Sequence, residues 1–120
     1  MKSPWFILTR RYGTDVVSPD AVALEDALRE LLIEDNPEVS EPVYAEHGDL
    51  WLRMGKEDGS MFVLTLNRGG VATLVHWAQQ DYEVELSTPI RREGLDMGQM
   101  LQLLHQLRAG DADGLRLALR

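Results

Sequence analysis

A chain of 120 residues with 44% hydrophobic and 27% charged side chains is long enough for one buried core and too apolar to stay disordered. The 20 Asp and Glu against 12 Lys and Arg give a formal net charge of −8 at pH 7, which repels a phosphate backbone and argues against direct binding of nucleic acid. Cysteine is absent, so disulfides and thiolate metal sites are excluded and a reducing, cytoplasmic location is the expectation.

The N-terminus, MKSPWFILTRRYG, has only a Trp5–Leu8 apolar run before Arg10 and Arg11. That run is too short for a signal-peptide core, and no stretch approaches the roughly 20 apolar residues of a membrane span, so no membrane association is expected. Trp5 to Tyr12, aromatic and β-branched, predicts an opening strand that stops at Gly13. Ser18-Pro19-Asp20 then predicts a helix start, with the Ser18 hydroxyl as N-cap, Pro19 at the first helical position and a carboxylate near the positive end of the dipole. Ala21, Leu24, Leu28, Leu31 and Leu32 recur at helical spacing, while Glu25, Asp26, Arg29 and Glu30 lie on or beside the opposite face. Pro37 disfavours helical backbone at Asn36 and ends this helix near Asp35. Glu34 to Glu41 is a polar loop and the densest acidic stretch of the chain.

Beyond that loop the hydrophobic period changes to two. Pro42 to Glu46 and Leu50 to Met54 are predicted strands around His47-Gly48-Asp49. Lys56-Glu57-Asp58-Gly59 is a hairpin turn into Ser60–Leu66, and Asn67-Arg68-Gly69-Gly70 a second one into Val71–Trp77. Gln79-Gln80 makes a third turn before Tyr82–Leu86, where Tyr82, Val84 and Leu86 alternate with Glu83 and Glu85. That alternation predicts a half-buried strand with its carboxylates toward water. The central strands are apolar on both sides, Phe62, Leu64 and Leu66 against Met61 and Val63, which predicts helices over the second face of the sheet.

A second helix is expected from Asp96, with Gln99 as its capping-box partner, Met97, Met100, Leu101, Leu104 and Leu107 along one side, and Gly110 at its end. Leu115, Leu117 and Leu119 alternate with Arg116, Ala118 and Arg120, so the tail is expected to be a strand, with a short helix after Asp113 as the alternative. No repeat or interior linker divides the chain. The expectation is a single α+β domain over residues 1–120, a mostly antiparallel meander of about five or six strands packed against two helices.

Catalytic and metal motifs are not found. His47, His76 and His105 have no ligand spacing such as H-E-x-x-H, no serine sits in a G-x-S-x-G elbow, and Gly69-Gly70 opens a strand where a phosphate cradle needs a helix. No cofactor or metal is therefore expected. Glu46, His47 and Asp49 crowd one turn, which a polar connection explains; an enzyme would need them, or His76, to converge in a pocket. What remains is recognition. Asp81, Glu83 and Glu85, with Glu57 and Asp58 at a hairpin tip, form a candidate negative patch able to steer a cationic protein surface, and Trp77 is its candidate anchor, with Trp51 a second.

From Trp51 to Leu86 the order of a Gly-containing turn, the strand FVLTLN, the tight turn RGG, the strand VATLVHW and a polar-alternating strand resembles small α+β immunity proteins of bacterial polymorphic toxin systems. In particular it is similar to the class that neutralises nucleic-acid deaminase and nuclease toxins. The resemblance implies a non-enzymatic antidote that binds a cognate toxin, whose surface is expected to be basic, and covers its active site. No functional residue is carried over by motif. The alternative is a type III secretion chaperone, also small, acidic and α+β, which as a dimer would hold an unfolded effector segment on a groove supplied by Met54, Met61, Met97 and Met100.

Overall fold

The structure, a computed structural model, describes residues 4–11, 13–32, 49–56, 58–80 and 82–119. The predicted strand at 42–46, the acidic loop from Glu34 to Glu41, His47, Glu57 and Asp81 lie outside the described residues. Strand β1 (Trp5–Thr9) stops three residues earlier than its composition predicts, because Arg10 N–H donates to the Thr14 carbonyl at 2.8 Å and turns the chain back. It returns as β2 (Asp15–Val17), a strand too short to announce itself by alternation, which pairs Ile7 with Val17 and Thr9 with Asp15.

Helix α1 (Ala21–Leu32) follows, capped two residues later than expected. The Asp20 carboxylate accepts from Ala23 N–H at 2.8 Å, and the Asp20 carbonyl takes the first helical N–H, that of Leu24. Ser18 instead extends the β1–β2 ladder, its N–H donating to the Phe6 carbonyl at 2.9 Å. Leu24, Ala27, Leu28 and Leu31 form the buried stripe.

Strands β3 (Asp49–Gly55), β4 (Met61–Asn67) and β5 (Ala72–Trp77) form the meander, and β6 (Ile90–Arg92) adds a short edge. The order is β2-β1-β3-β4-β5-β6, with every neighbouring pair antiparallel. Tyr82–Leu86 does not become the half-buried strand that its alternation predicts. Its ladder to β5 is one bridge, Trp77 to Glu85, flanked by Ala78 N–H to the Val84 carbonyl and Leu86 N–H to the His76 carbonyl. β6 takes the edge beside Ala72–Leu74, so only the last residues of β5 remain to pair, and Tyr82, Val84 and Leu86 are left 47%, 58% and 54% exposed.

Helix α2 (Met97–Arg108) begins with the predicted reciprocal cap: the Asp96 carboxylate accepts from Gln99 N–H, and the Gln99 side chain accepts from Asp96 N–H. The tail is a helix, α3 (Ala112–Leu119), and not the expected strand. Asp111 caps it by accepting from Gly114 N–H at 3.0 Å, and the four-residue spacing of Leu115 and Leu119 puts both in the core while Leu117 stays exposed.

Register lines up Leu8, Leu52, Leu64, Leu74 and Ile90 across the sheet. Leu24, Leu28 and Leu31 of α1, Leu104 and Leu107 of α2, and Leu115 and Leu119 of α3 belong to the same core as that row. Burying these leucines on one face drives the α+β arrangement, each contributing about 1.5–3 kcal/mol of transfer free energy. Period two puts Thr9, Trp51, Arg53, Val63, Thr65 and Val75 on the second face. The expectation of helices there is not met among the described residues, whose buried helical leucines join the first face.

Candidate partner-binding site

One end of the sheet gathers most of the described residues that the sequence marks for recognition. Trp5 pairs with Gly55, Gly55 with Met61, and Met61 with Trp77, so the start of β1, the β3–β4 turn and the end of β5 converge. The Trp5 ring lies directly over Gly55, where a Cβ would find no room. At the turn, the Asp58 carboxylate accepts from Ser60 N–H at 2.8 Å and Ser60 Oγ at 2.5 Å, and these bonds hold its pKa below the ordinary carboxylate value. Beyond β5, Glu83 and Glu85 are exposed in the segment that carries Tyr82, Val84 and Leu86. Trp77, the candidate anchor, is half-buried with its ring edge-on to Tyr82 at 5.5 Å. Tyr82 and Trp51 are the more exposed aromatic surfaces, Trp51 at 38%.

On the second face a shallow cleft of about 480 Å³ is lined by Thr9, Gly13, Asp15, Trp51, Arg53, Val63 and Tyr82. Tyr82 joins this cleft to the acidic segment. Of these, only Trp51 is marked for recognition by the sequence. The parity of Trp51, Arg53 and Val63 in their strands puts them on one face, but Asp15 and Tyr82 reach it through a strand and a bend that carry no periodic signal.

The two described histidines, His76 and His105, lie on different elements. His76 lies on the first face at the same sheet end, stacked on Phe62 with centroids 3.9 Å apart and planes 10° from parallel. Arg116 Nη2 of α3 lies 3.2 Å from His76 Nδ1, and a guanidinium can only donate, so Nδ1 is the acceptor and the ring proton sits on Nε2. That Nε2 is buried and without a hydrogen-bond partner among the described residues. Asp49 accepts from Asn67 Nδ2 at the far end of β4, roughly 17 Å from the His76 position at a strand rise of about 3.3 Å per residue, so these two do not converge. His105 is exposed on α2.

Burial, followed by the positive charges of Arg116 and Lys56, pushes the His76 pKa below its ordinary 6.5, with Asp58 acting the other way. The unfolded chain therefore binds a proton at this position at a higher pH than the folded one. The stabilisation from a neutral His76 is complete above about pH 6.5 and is lost as the pH falls from there through the folded pKa. The urea midpoint should accordingly drop between about pH 7.5 and pH 5.5, and His76→Gln should flatten that drop; an unchanged slope in the variant would assign the dependence elsewhere.

Met54, Met61 and Met100 are 3%, 1% and 1% exposed and Met97 packs on the core, so they fill the interior and do not line a groove. Among the described residues no group of three or more His, Asp or Glu could hold a metal ion, and no helix is long and apolar enough to cross a membrane. Comparison with known proteins finds no matching family model, no matching curated protein and no matching solved structure.

Proposed function

We propose that this chain is a binding protein of the immunity type, which takes a basic surface of a cognate toxin domain on the second face of its sheet and on the Tyr82–Leu86 segment, and so covers the toxin's active site. The observation that carries this reading is the exposure of three large apolar side chains, Tyr82, Val84 and Leu86, which alternate with the exposed carboxylates of Glu83 and Glu85. Apolar side chains set among carboxylates suit a partner that buries the former and neutralises the latter. Asp58, held ionised at the adjacent turn, and the formal charge of −8 extend the negative field around them.

The test is co-expression with the cognate toxin domain, sought among the products of adjacent genes, followed by hydroxyl-radical footprinting of the complex. Growth should be restored, and labelling of Tyr82 and Trp51 should fall about fivefold or more while Leu117 on α3 is labelled as before. Rescue with protection at Leu117 and none at Tyr82 would move the interface to the helical face. An adjacent type III effector held by the chain in unfolded form would establish the chaperone alternative instead.

A further inference from the structure

The cleft on the second face ends in a polar group that its own residues leave half used. Thr9 Oγ1 donates to Asp15 Oδ1 at 2.7 Å, and Arg53 Nη2 lies 3.3 Å from Thr9 Oγ1 and 3.8 Å from Asp15 Oδ1. The Arg53 side chain is only 24% exposed, yet among the described residues its Nε and Nη1 donate to nothing, and Asp15 Oδ2 accepts from nothing. Asp15 is 53% exposed and these atoms face the open cleft, where a ligand that supplies both partners would take the place of water. The rest of the lining is Trp51, Val63 and Tyr82, a surface for a flat ring, and the cleft's 480 Å³ lies within the range of ordinary ligand sites.

The charges narrow the occupant. A cation inserted here meets the Arg53 guanidinium, a carboxylate meets Asp15, and a plain hydrocarbon ring leaves donor and acceptor unpaired. A phenol matches all of it, since its hydroxyl accepts one hydrogen bond and donates another while its ring stacks. We propose that the cleft is a socket for a tyrosine side chain of the protein partner, its ring against Trp51, Val63 and Tyr82, its oxygen accepting from Arg53 and donating to Asp15. This assignment rests on the chain being a partner-binding protein, and it adds which partner residue anchors the contact. Tyrosine is among the side chains most enriched at the energetic centres of interfaces.

The probe is 4-methylphenol, the tyrosine side chain alone, titrated into the isotope-labelled protein and followed by the Trp51 indole N–H and the Gly13 and Val63 amides. Saturable shifts of these signals are expected, with toluene binding about fivefold or more weaker for lack of the hydroxyl, and benzylamine and phenylacetate weaker still. Arg53→Met and Asp15→Asn should each weaken 4-methylphenol by about the same factor and leave toluene unchanged, the dispersion of the remaining amide signals reporting that both variants fold. Equal affinity for toluene, tighter binding of benzylamine, or no shift at these three residues up to the solubility limit would overturn the socket. Phenol binding that survives in the complex, with the cleft still open, would assign it to a free phenolic ligand and overturn the tyrosine. Loss of partner association on reversing Glu83 and Glu85, together with a cleft that ignores 4-methylphenol, would sink this inference alone.

Discussion

Replacing Gly70 with alanine should destabilise the fold by about 2–4 kcal/mol, more than any other single glycine change between β4 and α2. Two costs combine at this position. Its φ of +85° lies in the left-handed region, where an L side chain costs about 1–2 kcal/mol. A Cβ there would also stand 2.9 Å from the Leu95 carbonyl oxygen and 3.4 Å from the Leu95 nitrogen. Both atoms belong to backbone, which cannot rotate away as a side chain would. The same approach carries the hydrogen bond from Leu95 N–H to the Gly70 carbonyl at 3.0 Å, which ties the entry of α2 to the β4–β5 turn. Gly94 supplies the control. It has a φ of +72° with nothing within 4 Å of a built Cβ, so Gly94→Ala meets only the backbone strain, about 1 kcal/mol. Urea unfolding of the two variants separates the terms. A larger loss for Gly70→Ala is the expected result, and equal losses would show that Leu95 gives way freely.

The features legible in the sequence are those that neighbouring residues decide. Asp96 and Gln99 announce α2 because a reciprocal cap needs only four consecutive residues. β4 and β5 are legible because their Asn67-Arg68-Gly69-Gly70 turn leaves the flanking strands one antiparallel register, Leu66 opposite Ala72. The tail was ambiguous for a physical reason: over five residues Leu115, Leu117 and Leu119 satisfy a period of two, while Leu115 and Leu119 alone satisfy a helical turn. The cap at Asp111 decides for the helix. Alternation misleads at Tyr82–Leu86 because it says nothing about which segment wins a sheet edge. β6, which holds the place beside Ala72–Leu74, lies further along the chain.

The candidate site was partly legible on the same grounds. Parity placed His76 on the face of Leu74, but its contact with Arg116 joins residues 40 apart. The Thr9–Asp15–Arg53 group joins a hairpin to a strand that follows the whole of α1, with Arg53 44 residues from Thr9, and no local pattern encodes it. Of the predicted acidic patch, Asp58, Glu83 and Glu85 emerge at one sheet end because the hairpin tip and the end of β5 share the Met61–Trp77 pairing.

We propose that these carboxylates guide a cationic partner onto the apolar side chains beside them. Electrostatic guidance acts on the approach of two surfaces more than on their separation, and salt screens it over about 10 Å at 0.1 M ionic strength. The most direct measurement is the stopped-flow association rate with the cognate toxin domain, from about 20 to 500 mM salt. It compares the native chain with Glu83→Lys/Glu85→Lys and with Asp26→Lys, an exposed charge reversal on α1. The double variant should associate about 10- to 100-fold more slowly at low salt, with a flattened salt dependence and a smaller change in dissociation, while Asp26→Lys stays close to the native rate. Equal slowing by Asp26→Lys would reduce the effect to net charge, and a native rate in the double variant would contradict the claim outright.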